Sequence, residues 1–475
     1  MDKNKNSDCH PESELIETVS LYQSQEKIYT RAFSGFYRNL RNIGGTLLFL
    51  LYFGTVWLSW NGRQAVLWDL STRQFHIFGT TFLPQDFVLL TCLLIILAFG
   101  LFFVTVVAGR IWCGFVCPQS VFTWVFLWVE RISEGDRNQR IRLDSDPMGL
   151  AKFLRKLLKH TLWLAIALIT AITFVGYFTP IRTLIQDLVT IDASGWALFW
   201  VAFFTLATYL NAGWMREQVC IYMCPYARFQ SVMYDKDTLT VHYRTDRGEP
   251  RGARKRNANP KELELGDCID CTLCVQVCPT GIDIREGLQY ECISCGACVD
   301  VCNSIMDKMD YERGLITYTS ENALAGKMTK VIRPRMIGYC IALATIISAF
   351  TYMLINRPLL EVEVLRDRQS LYQESSDGKI ENVYVLKMVS KAPQPERVKI
   401  SVIGLPGATL SGQTIVTLHP GTVESIPVRL AVPAKTVAYK TNTTITFRVT
   451  SVNPESSKTK LSKDAESRFL SPAIK

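Results

Sequence analysis

Eight cysteines in the middle of the chain recur at fixed intervals in two consecutive runs. The first run reads Cys268-x2-Cys271-x2-Cys274-x3-Cys278, and the second reads Cys292-x2-Cys295-x2-Cys298-x3-Cys302. Three thiolates within seven residues can surround one face of an iron–sulfur cube, while a fourth, more distant cysteine completes the neighbouring cluster. The spacing therefore predicts two 4Fe-4S clusters, and it restricts the fold of this region more than any other feature of the sequence.

The crossed arrangement found in bacterial two-cluster ferredoxins assigns the ligands of each cluster. One cluster is predicted to bind Cys268, Cys271, Cys274 and Cys302, and the other Cys292, Cys295, Cys298 and Cys278. Structural zinc is the alternative, but zinc is usually held by two separated cysteine pairs, which this spacing fits poorly. Proline follows Cys278, whereas Asn303 follows Cys302, and we expect Asn303 to alter a turn without affecting ligation.

Long apolar blocks separated by charged stretches indicate a membrane protein. About 20 apolar residues are needed to cross roughly 30 Å of hydrocarbon. Five segments qualify or nearly so, and they are 42–60, 87–109, 161–179, 196–213 and 337–355. The shorter apolar stretch 121–129 is predicted to be a helix lying at the membrane interface.

The distribution of Lys and Arg among the connections predicts their sides. Few basic residues follow the first and third spans: Arg63, Arg73 and Arg182. Many follow the second and fourth: Arg131, Arg137, Arg140, Arg142, Lys152, Arg155, Lys156, Lys159, Arg244, Arg247, Arg251, Arg254, Lys255 and Arg256. By the positive-inside rule the ferredoxin region is cytoplasmic, where its thiols stay reduced, and the C-terminal region is periplasmic. The same rule accounts for the net charge of +9, so no nucleic-acid partner is predicted.

The region after the last span changes to short alternating runs, such as 383–389, 398–402, 414–418 and 444–449. Turn signals separate the runs, for example Asp377-Gly378 and Pro420-Gly421. About seven such strands in about 100 residues predict an immunoglobulin-like β-sandwich, here without a disulfide. We interpret this domain as a docking or spacing module without chemistry of its own.

A second cysteine motif occurs twice, after the second and the fourth predicted span. Cys113-x3-Cys117 precedes Pro118, and Cys220-x3-Cys224 precedes Pro225. Cysteines four residues apart share a helix face, and a following proline suits the first position of a new helix. Cys117 and Cys224 are thus predicted to cap helices, where the helix dipole, Arg110 and Arg216 would favour thiolates.

If the two motifs are neighbours, they offer up to four soft thiolates. Such a set suits Cu(I), a further iron–sulfur centre or a redox-active disulfide, and the spacing does not choose among these three. Five histidines without intramembrane pairing and the lack of a C-x-x-C-H site argue against haem. No Rossmann fingerprint or P-loop indicates a nicotinamide or nucleotide site.

Over nearly its whole length the chain closely resembles the cytochrome c oxidase accessory proteins of the CcoG, FixG and RdxA family. The resemblance rests on the segments 109–119 and 216–231, the doubled cysteine run and the sandwich after a final span. It implies a multi-pass protein of the bacterial inner membrane that reduces Cu(II) to Cu(I) for assembly of a cbb-type oxidase. It also implies that Cys113, Cys117, Cys220 and Cys224 form the copper site, with copper as substrate or transient ligand.

The sequence and the resemblance leave three functions open. The first is a cupric reductase that takes electrons from a cytoplasmic donor and serves copper-delivery or oxidase-assembly partners, possible as a homodimer. The second is a quinol dehydrogenase-type membrane ferredoxin, and the third is an assembly scaffold without catalysis.

The predicted domains are an N-terminal segment (1–39), a four-span region (40–235), a basic linker (236–259), the ferredoxin domain (260–312), a connector (313–336), the fifth span (337–355) and the immunoglobulin-like domain (356–475).

Overall fold

The computed structural model describes most of the chain. The described residues are 27–60, 62–256, 258, 262–367, 370–375, 377–392, 395–437, 441–452 and 462–472. Residues 1–26, which make up most of the predicted N-terminal segment, lie outside them.

Helices dominate the chain as far as the sandwich. Before the ferredoxin domain they are α1 (Phe36–Thr55), α2 (Phe87–Ala108), α3 (Ile111–Phe115), α4 (Pro118–Glu134), α5 (Arg137–Ser145), α6 (Leu150–Val175), α7 (Ile181–Thr190), α8 (Gly195–Thr208) and α9 (Pro225–Met233). After the ferredoxin domain comes the long helix α14 (Pro334–Ile355). The remaining helices are α10 (Thr245–Gly248), α11 (Leu273–Gln276), α12 (Ala297–Met309), α13 (Glu321–Leu324) and, in the C-terminal domain, α15 (Ala434–Val437). Two π-helical segments, Tyr209–Met215 and Val219–Met223, follow α8.

Five helical segments in the described residues are long and apolar enough to cross a membrane: Pro84–Ala108, Ile111–Glu134, Leu150–Val175, Gly195–Met215 and Pro334–Ile355. Four of them overlap predicted spans. The predicted span 42–60 is not among them. Its residues 42–55 lie in α1, whose first turns carry the charged Arg38 and Arg41 and so lower the hydropathy of the helix, and residues 56–60 follow the helix. The stretch 121–129, predicted as a short interfacial helix, is instead part of the longer segment Ile111–Glu134.

At one end of the helices, the connecting loops meet the C-terminal domain. The connection from α1 to α2 contains five short strands, which are β1 (Ser59–Trp60), β2 (Arg63–Gln64), β3 (Val66–Asp69), β4 (Gln74–Ile77) and β5 (Thr80–Phe82). Trp68 N donates to Tyr177 O after α6 (2.7 Å), and Gln74 Nε2 donates to Gly421 O of the C-terminal domain (2.7 Å). Asp86, at the start of α2, accepts hydrogen bonds from Arg357 (2.5 Å) and Lys391 (2.8 Å).

The opposite end meets the ferredoxin domain. Tyr37 N at the start of α1 donates to Asp300 Oδ1 (3.1 Å). Val107 O at the end of α2 accepts from Leu239 N (3.1 Å), and Val106 O accepts from Arg333 just before α14 (3.1 Å). Since the far ends of α1, α2 and α14 lie beside the loops and the sandwich, these helices run from one end of the molecule to the other.

Helix α4 behaves differently, because both of its ends lie on the ferredoxin side. Its start follows Gly114, which packs on the loop containing Cys295. Beyond its end, the Asp136 carboxylate accepts from Ala32 N (3.2 Å), in the segment that leads into α1. Both ends of α4 therefore lie on the ferredoxin side, unlike those of α1, α2 and α14. By length and composition alone, the segment Ile111–Glu134 could still span a membrane.

The ferredoxin domain is larger than the predicted range 260–312. Strand β6 (Thr240–Tyr243), within the predicted basic linker, pairs antiparallel with β7 (Ile316–Thr319), within the predicted connector. Val241 and Ile316 are buried with Cys268 and Cys274 in one core. The charged neighbours of these short strands conceal them in the sequence, so the predicted boundaries are too narrow.

The C-terminal domain confirms the predicted sandwich of two antiparallel sheets. Its strands are β8 (Leu360–Arg366), β9 (Gln373–Glu374), β10 (Lys379–Ser390), β11 (Glu396–Ile403), β12 (Thr409–Gly412), β13 (Ile415–Leu418), β14 (Val423–Pro433), β15 (Asn442–Ser451) and β16 (Ser462–Leu470). One sheet has the order β12-β14-β10-β8, with β9 pairing to β10, and the other β13-β11-β15-β16. Tyr384, Phe447 and Phe469 are fully buried between them.

Candidate metal centres

The eight cysteines of the ferredoxin domain line two neighbouring apolar cavities. Cys268, Cys271, Cys274 and Cys302 line the first. Cys278, Cys292, Cys295 and Cys298 line the second, together with Cys274 at the boundary. The two sets are those predicted by the crossed-ligand rule, with the last cysteine of each run reaching the other cavity.

Local backbone geometry curls each cysteine run around its cavity. Thr272 and Gly296, which directly precede α11 and α12, have positive φ angles of 55° and 71°. This left-handed conformation turns the chain sharply. As a result, the third cysteine of each run enters the first turn of a helix, and Cys298 lies at the N-terminus of α12, where the helix dipole favours negative charge.

The cavities suit thiolate-bound metal. Burial raises the pKa of Cys274 and of Cys302 to about 12, and it raises that of Cys298 well above its usual value. Metal binding must therefore release protons from these thiols, as for other cysteine ligands. All of the cysteines in the described residues are free of disulfides. Eight reduced thiols around two apolar cavities fit a pair of 4Fe-4S clusters.

Asn303 does not alter a turn, contrary to the expectation from the sequence. Helix α12 continues past Cys302 to Met309, and the Asn303 side chain accepts a hydrogen bond from Gly314 N (3.0 Å). A proline inside this helix would remove a backbone hydrogen bond and clash with the preceding turn. By contrast, Pro279 follows the end of α11. The two runs thus differ in structure beyond their last cysteine, while their ligand sets correspond.

The two CxxxCP motifs share one local structure. Cys117 N donates to Trp112 O (2.9 Å), and Cys224 N donates to Val219 O (2.8 Å), so each second cysteine bonds to the residue five positions earlier. These bonds form wide, π-type turns, which occur often at functional sites. Cys117 and Cys224 directly precede α4 and α9, which begin at Pro118 and Pro225. The predicted capping positions are therefore confirmed.

The structure brings the two motifs together. Cys117 lies within electrostatic reach of both Cys113 and Cys220, and Cys220 within reach of Cys224. Burial, followed by the neighbouring Cys117 thiol, raises the pKa of Cys220 to about 12. In the part of the chain that the structure describes, no three His, Cys, Asp or Glu side chains are arranged closely enough to hold a single metal ion. The four thiols are neighbours without forming a closed coordination site.

Both motifs contact the second ferredoxin cavity. A β-carbon on Gly114 would lie 2.7 Å from Ser294 O and 2.8 Å from Cys295 Cα. Cys113 packs against the core that contains Cys295, and Cys220 shares a small cavity with Pro279 and Ile293. The nearest part of the ferredoxin domain to the paired cysteines is therefore the loop that holds the second cluster.

Two further residues shape this contact. The buried Arg110 donates to Tyr290 O in the ferredoxin domain and to Ala227 O in α9. The fully buried Gln230 accepts a hydrogen bond from Cys113 Sγ (3.6 Å). The sequence predicts no role for Gly114 or Gln230, although both lie in or beside the duplicated motif.

The sequence predicts that Arg216 stabilises the CxxxCP thiolates, whereas in the structure it pairs with an acidic residue. Its guanidinium donates to the carboxylate of Glu130, a fully buried residue of α4. Arg140 donates to the other oxygen of the same carboxylate (2.7 Å), and Lys159 pairs with Glu134 (2.9 Å). The sequence does not predict this cluster of buried ion pairs, because its members come from α4, α5, α6 and the segment after α8.

Known proteins match this chain along most of its length. The matching family models are a 4Fe-4S dicluster domain (residues 215–321), a 4Fe-4S binding domain (90–134) and an IG-like fold at the C-terminus of FixG (350–472). The chain is 37% identical to the nitrogen fixation protein FixG of Rhizobium meliloti over 427 residues, or 82% of each protein. It is 41% identical to the protein RdxB of Cereibacter sphaeroides over 427 residues, or 86% of this chain and 88% of RdxB.

A solved structure of a FixG-related protein from Vibrio parahaemolyticus is 28% identical in sequence to this chain. The match covers 24% of this chain and 95% of the Vibrio chain, with a TM-score of 0.21.

Proposed function

The chain belongs to the FixG and RdxA family of membrane ferredoxin-like proteins, and on this premise we propose that it is a cupric reductase. Its 4Fe-4S domains and apolar helices make it a membrane protein of electron transfer. In the proposed reaction, one electron passes from a cytoplasmic carrier protein to Cu(II) held by the paired cysteines. The product, Cu(I), serves the assembly of a cbb-type oxidase.

The close packing of Gly114 on the Cys295 loop is the observation that carries this proposal. It joins the first CxxxCP motif to the second cluster cavity without an intervening side chain. The fourth cysteine of the second run, Cys302, lines the other cavity, where Cys271 is exposed at the protein surface. The ferredoxin domain therefore has an accessible end for a donor and a buried end at the paired cysteines.

When bound, the two clusters would supply one-electron transfer, held by the two crossed sets of four cysteines. The chain's own residues shape the route. Arg110 bridges the ferredoxin domain and α9, and its buried positive charge lies within electrostatic reach of Cys292, Cys113 and Cys220. Such a charge stabilises the negative charge of thiolates and of a reduced site in surroundings with little water.

Copper chemistry suits the four paired cysteines. Soft thiolates prefer Cu(I) to Cu(II), so binding at these residues favours reduction of the metal. The reaction is balanced by a single electron, because Cu(II) becomes Cu(I) and the carrier is oxidised. Binding releases thiol protons, and no acid or base catalyst is required.

We propose a bacterial inner-membrane location with the ferredoxin domain in the cytoplasm and the sandwich in the periplasm. The proposed crossing helices are α1, α2, α6, α8 and α14, and α4 remains on the ferredoxin side. Contacts at both helix ends support this choice. With five crossings, the two ends of the chain lie on opposite sides, in agreement with the distribution of basic residues.

A further iron–sulfur centre at the paired cysteines is the second candidate. The 4Fe-4S binding family model matches residues 90–134. This range contains Cys113 and Cys117 but none of the eight cysteines of the ferredoxin domain. Iron analysis distinguishes the two candidates, because a third 4Fe-4S cluster would raise the content from eight iron atoms per chain to about twelve.

The proposal is tested by anaerobic purification, reduction with dithionite and addition of Cu(II) with a Cu(I)-specific chelator. We expect Cys117→Ser and Cys224→Ser to abolish copper reduction while both iron–sulfur signals persist. Cys340→Ser is the matched control, since Cys340 lies exposed on α14 and belongs to neither motif. Wild-type rates in the two motif variants would reject the copper site and favour quinol as the redox partner.

A further inference from the structure

A groove of about 380 Å³ lies between α1 and α4, on the outer surface of the helices near the ferredoxin domain. We name it the arginine groove. Its lining includes three arginines and two tryptophans: Arg38, Arg41, Arg131, Trp124 and Trp128. The proposed copper reduction does not take place at this surface.

The three guanidinium groups are not neutralised by direct ion pairs, and Asp136 and Asp300 lie only within electrostatic reach of Arg131 and Arg41. Within the described residues, no carboxylate forms an ion pair with Arg38, Arg41 or Arg131, whereas the nearby Arg140 and Arg216 both pair with Glu130. Arg38 and Arg131 are close enough to repel each other. Arg41 is only 5% exposed, and its Nη1 atom has no hydrogen-bond acceptor. Unpaired positive charges held together in partly buried surroundings favour an anion.

The rest of the groove is apolar and faces outward. The Arg41 guanidinium stacks on Trp124 at 3.8 Å from the ring centroid. Trp128 is 56% exposed, and beside the groove Ile43 and Leu47 of α1 are 67% and 57% exposed. Tryptophan and arginine together are typical of the level at which lipid headgroups lie.

We propose that the arginine groove binds the headgroup of an anionic phospholipid, with the acyl chains lying along the exposed apolar face of α1. The phosphate accepts hydrogen bonds from the three guanidinium groups. A free phosphate ion would use the arginines alone, whereas the adjoining exposed apolar surface matches the lipid chains. The site depends on the proposed placement of α1 in the membrane and not on copper reduction.

Arg41 also connects the groove to the redox centre. Its guanidinium lies beside the Cys295 thiol, a predicted ligand of the second cluster. A bound phosphate would compensate the positive charge that Arg41 places next to this ligand. Occupation of the groove should therefore make the second cluster harder to reduce, that is, lower its reduction potential.

The test measures lipid binding to full-length protein by native mass spectrometry, with dioleoylphosphatidylglycerol and dioleoylphosphatidylcholine as probes. We expect wild-type protein to prefer the anionic lipid, and the double variant R38Q/R131Q to bind it at least tenfold more weakly, at roughly fivefold per guanidinium. R335Q is the control, because Arg335 is an exposed arginine at the start of α14 outside the groove. Iron content and the cluster spectra verify folding.

Equal binding of both lipids by wild-type protein would overturn the proposal without any variant. So would unchanged binding in R38Q/R131Q, or competition by inorganic phosphate at the concentration at which the lipid itself binds. A potential of the second cluster that is the same in nanodiscs of either lipid would refute the link through Arg41. Cys117→Ser should leave lipid binding intact, which separates this proposal from copper reduction.

Discussion

Gly114 and Cys295 are in direct backbone contact, and a β-carbon on Gly114 would lie 2.8 Å from the Cys295 Cα atom. One residue belongs to the first CxxxCP motif and the other to the second cluster loop. Because the contact involves main-chain atoms on the Cys295 side, it cannot be relieved by a change of rotamer. The distance between the paired cysteines and the second cluster is thus set by the absence of a side chain.

Gly114→Ala should separate the two centres. The added methyl group forces a backbone shift, with a cost of about 1–3 kcal/mol typical of overpacking. We expect the iron content to be retained and the rate of copper reduction to fall at least tenfold. Gly100→Ala is the control, since no atom lies within 4 Å of a β-carbon built there. Equal rates in both variants would show that the contact does not govern transfer.

Exchange of the last cysteine of each run should damage the opposite cluster. Cys278 lines the cavity of the second run, and Cys302 lines that of the first. We therefore expect Cys278→Ser to alter the cluster of Cys292, Cys295 and Cys298, and Cys302→Ser to alter the other. Electron paramagnetic resonance of the reduced variants distinguishes the clusters. Loss of the cluster belonging to the same run would reverse the assignment.

Iron content provides a direct count of the centres. Two complete ligand sets predict eight iron atoms and eight labile sulfides per chain. Anaerobic purification followed by iron and sulfide determination measures both. A value near four would mean that only one cavity is filled.

Glu130→Gln should destabilise the helical region. Glu130 is fully buried between Arg140 and Arg216, so removal of its charge leaves two buried cations without compensation. Breaking a buried ion pair costs about 3–5 kcal/mol. Thermal unfolding in detergent should show a clear fall in midpoint. Asp464→Asn, which removes the exposed pair with Arg448, should change it little.

A reporter fused after Lys475 tests the topology. The five proposed crossings would place this end of the chain in the periplasm, so alkaline phosphatase should be active there and green fluorescent protein dark. A cytoplasmic signal would mean that α4 crosses in addition to α1 or that α1 does not cross.

The sequence was sufficient for the parts of the protein that depend on local spacing. The cysteine runs, the sandwich strands and the capping cysteines Cys117 and Cys224 follow from neighbours along the chain. Pairing of β6 with β7 was not predictable, because each strand has only four residues and more than 70 residues separate them. The role of α4 and the Glu130 cluster also depend on contacts between distant segments.

The carboxylate of Asp86 has a mechanical consequence. It pairs with Arg357, just after α14, and with Lys391 in the sandwich, so the C-terminal domain is attached to the start of α2 as well as to α14, which precedes it in the chain. A force applied to the sandwich by a docking protein is thereby shared between two helices. At their other ends α2 and α14 both contact residues around the ferredoxin domain, so a displacement of the sandwich would be transmitted along both helices to the cluster-bearing end of the molecule.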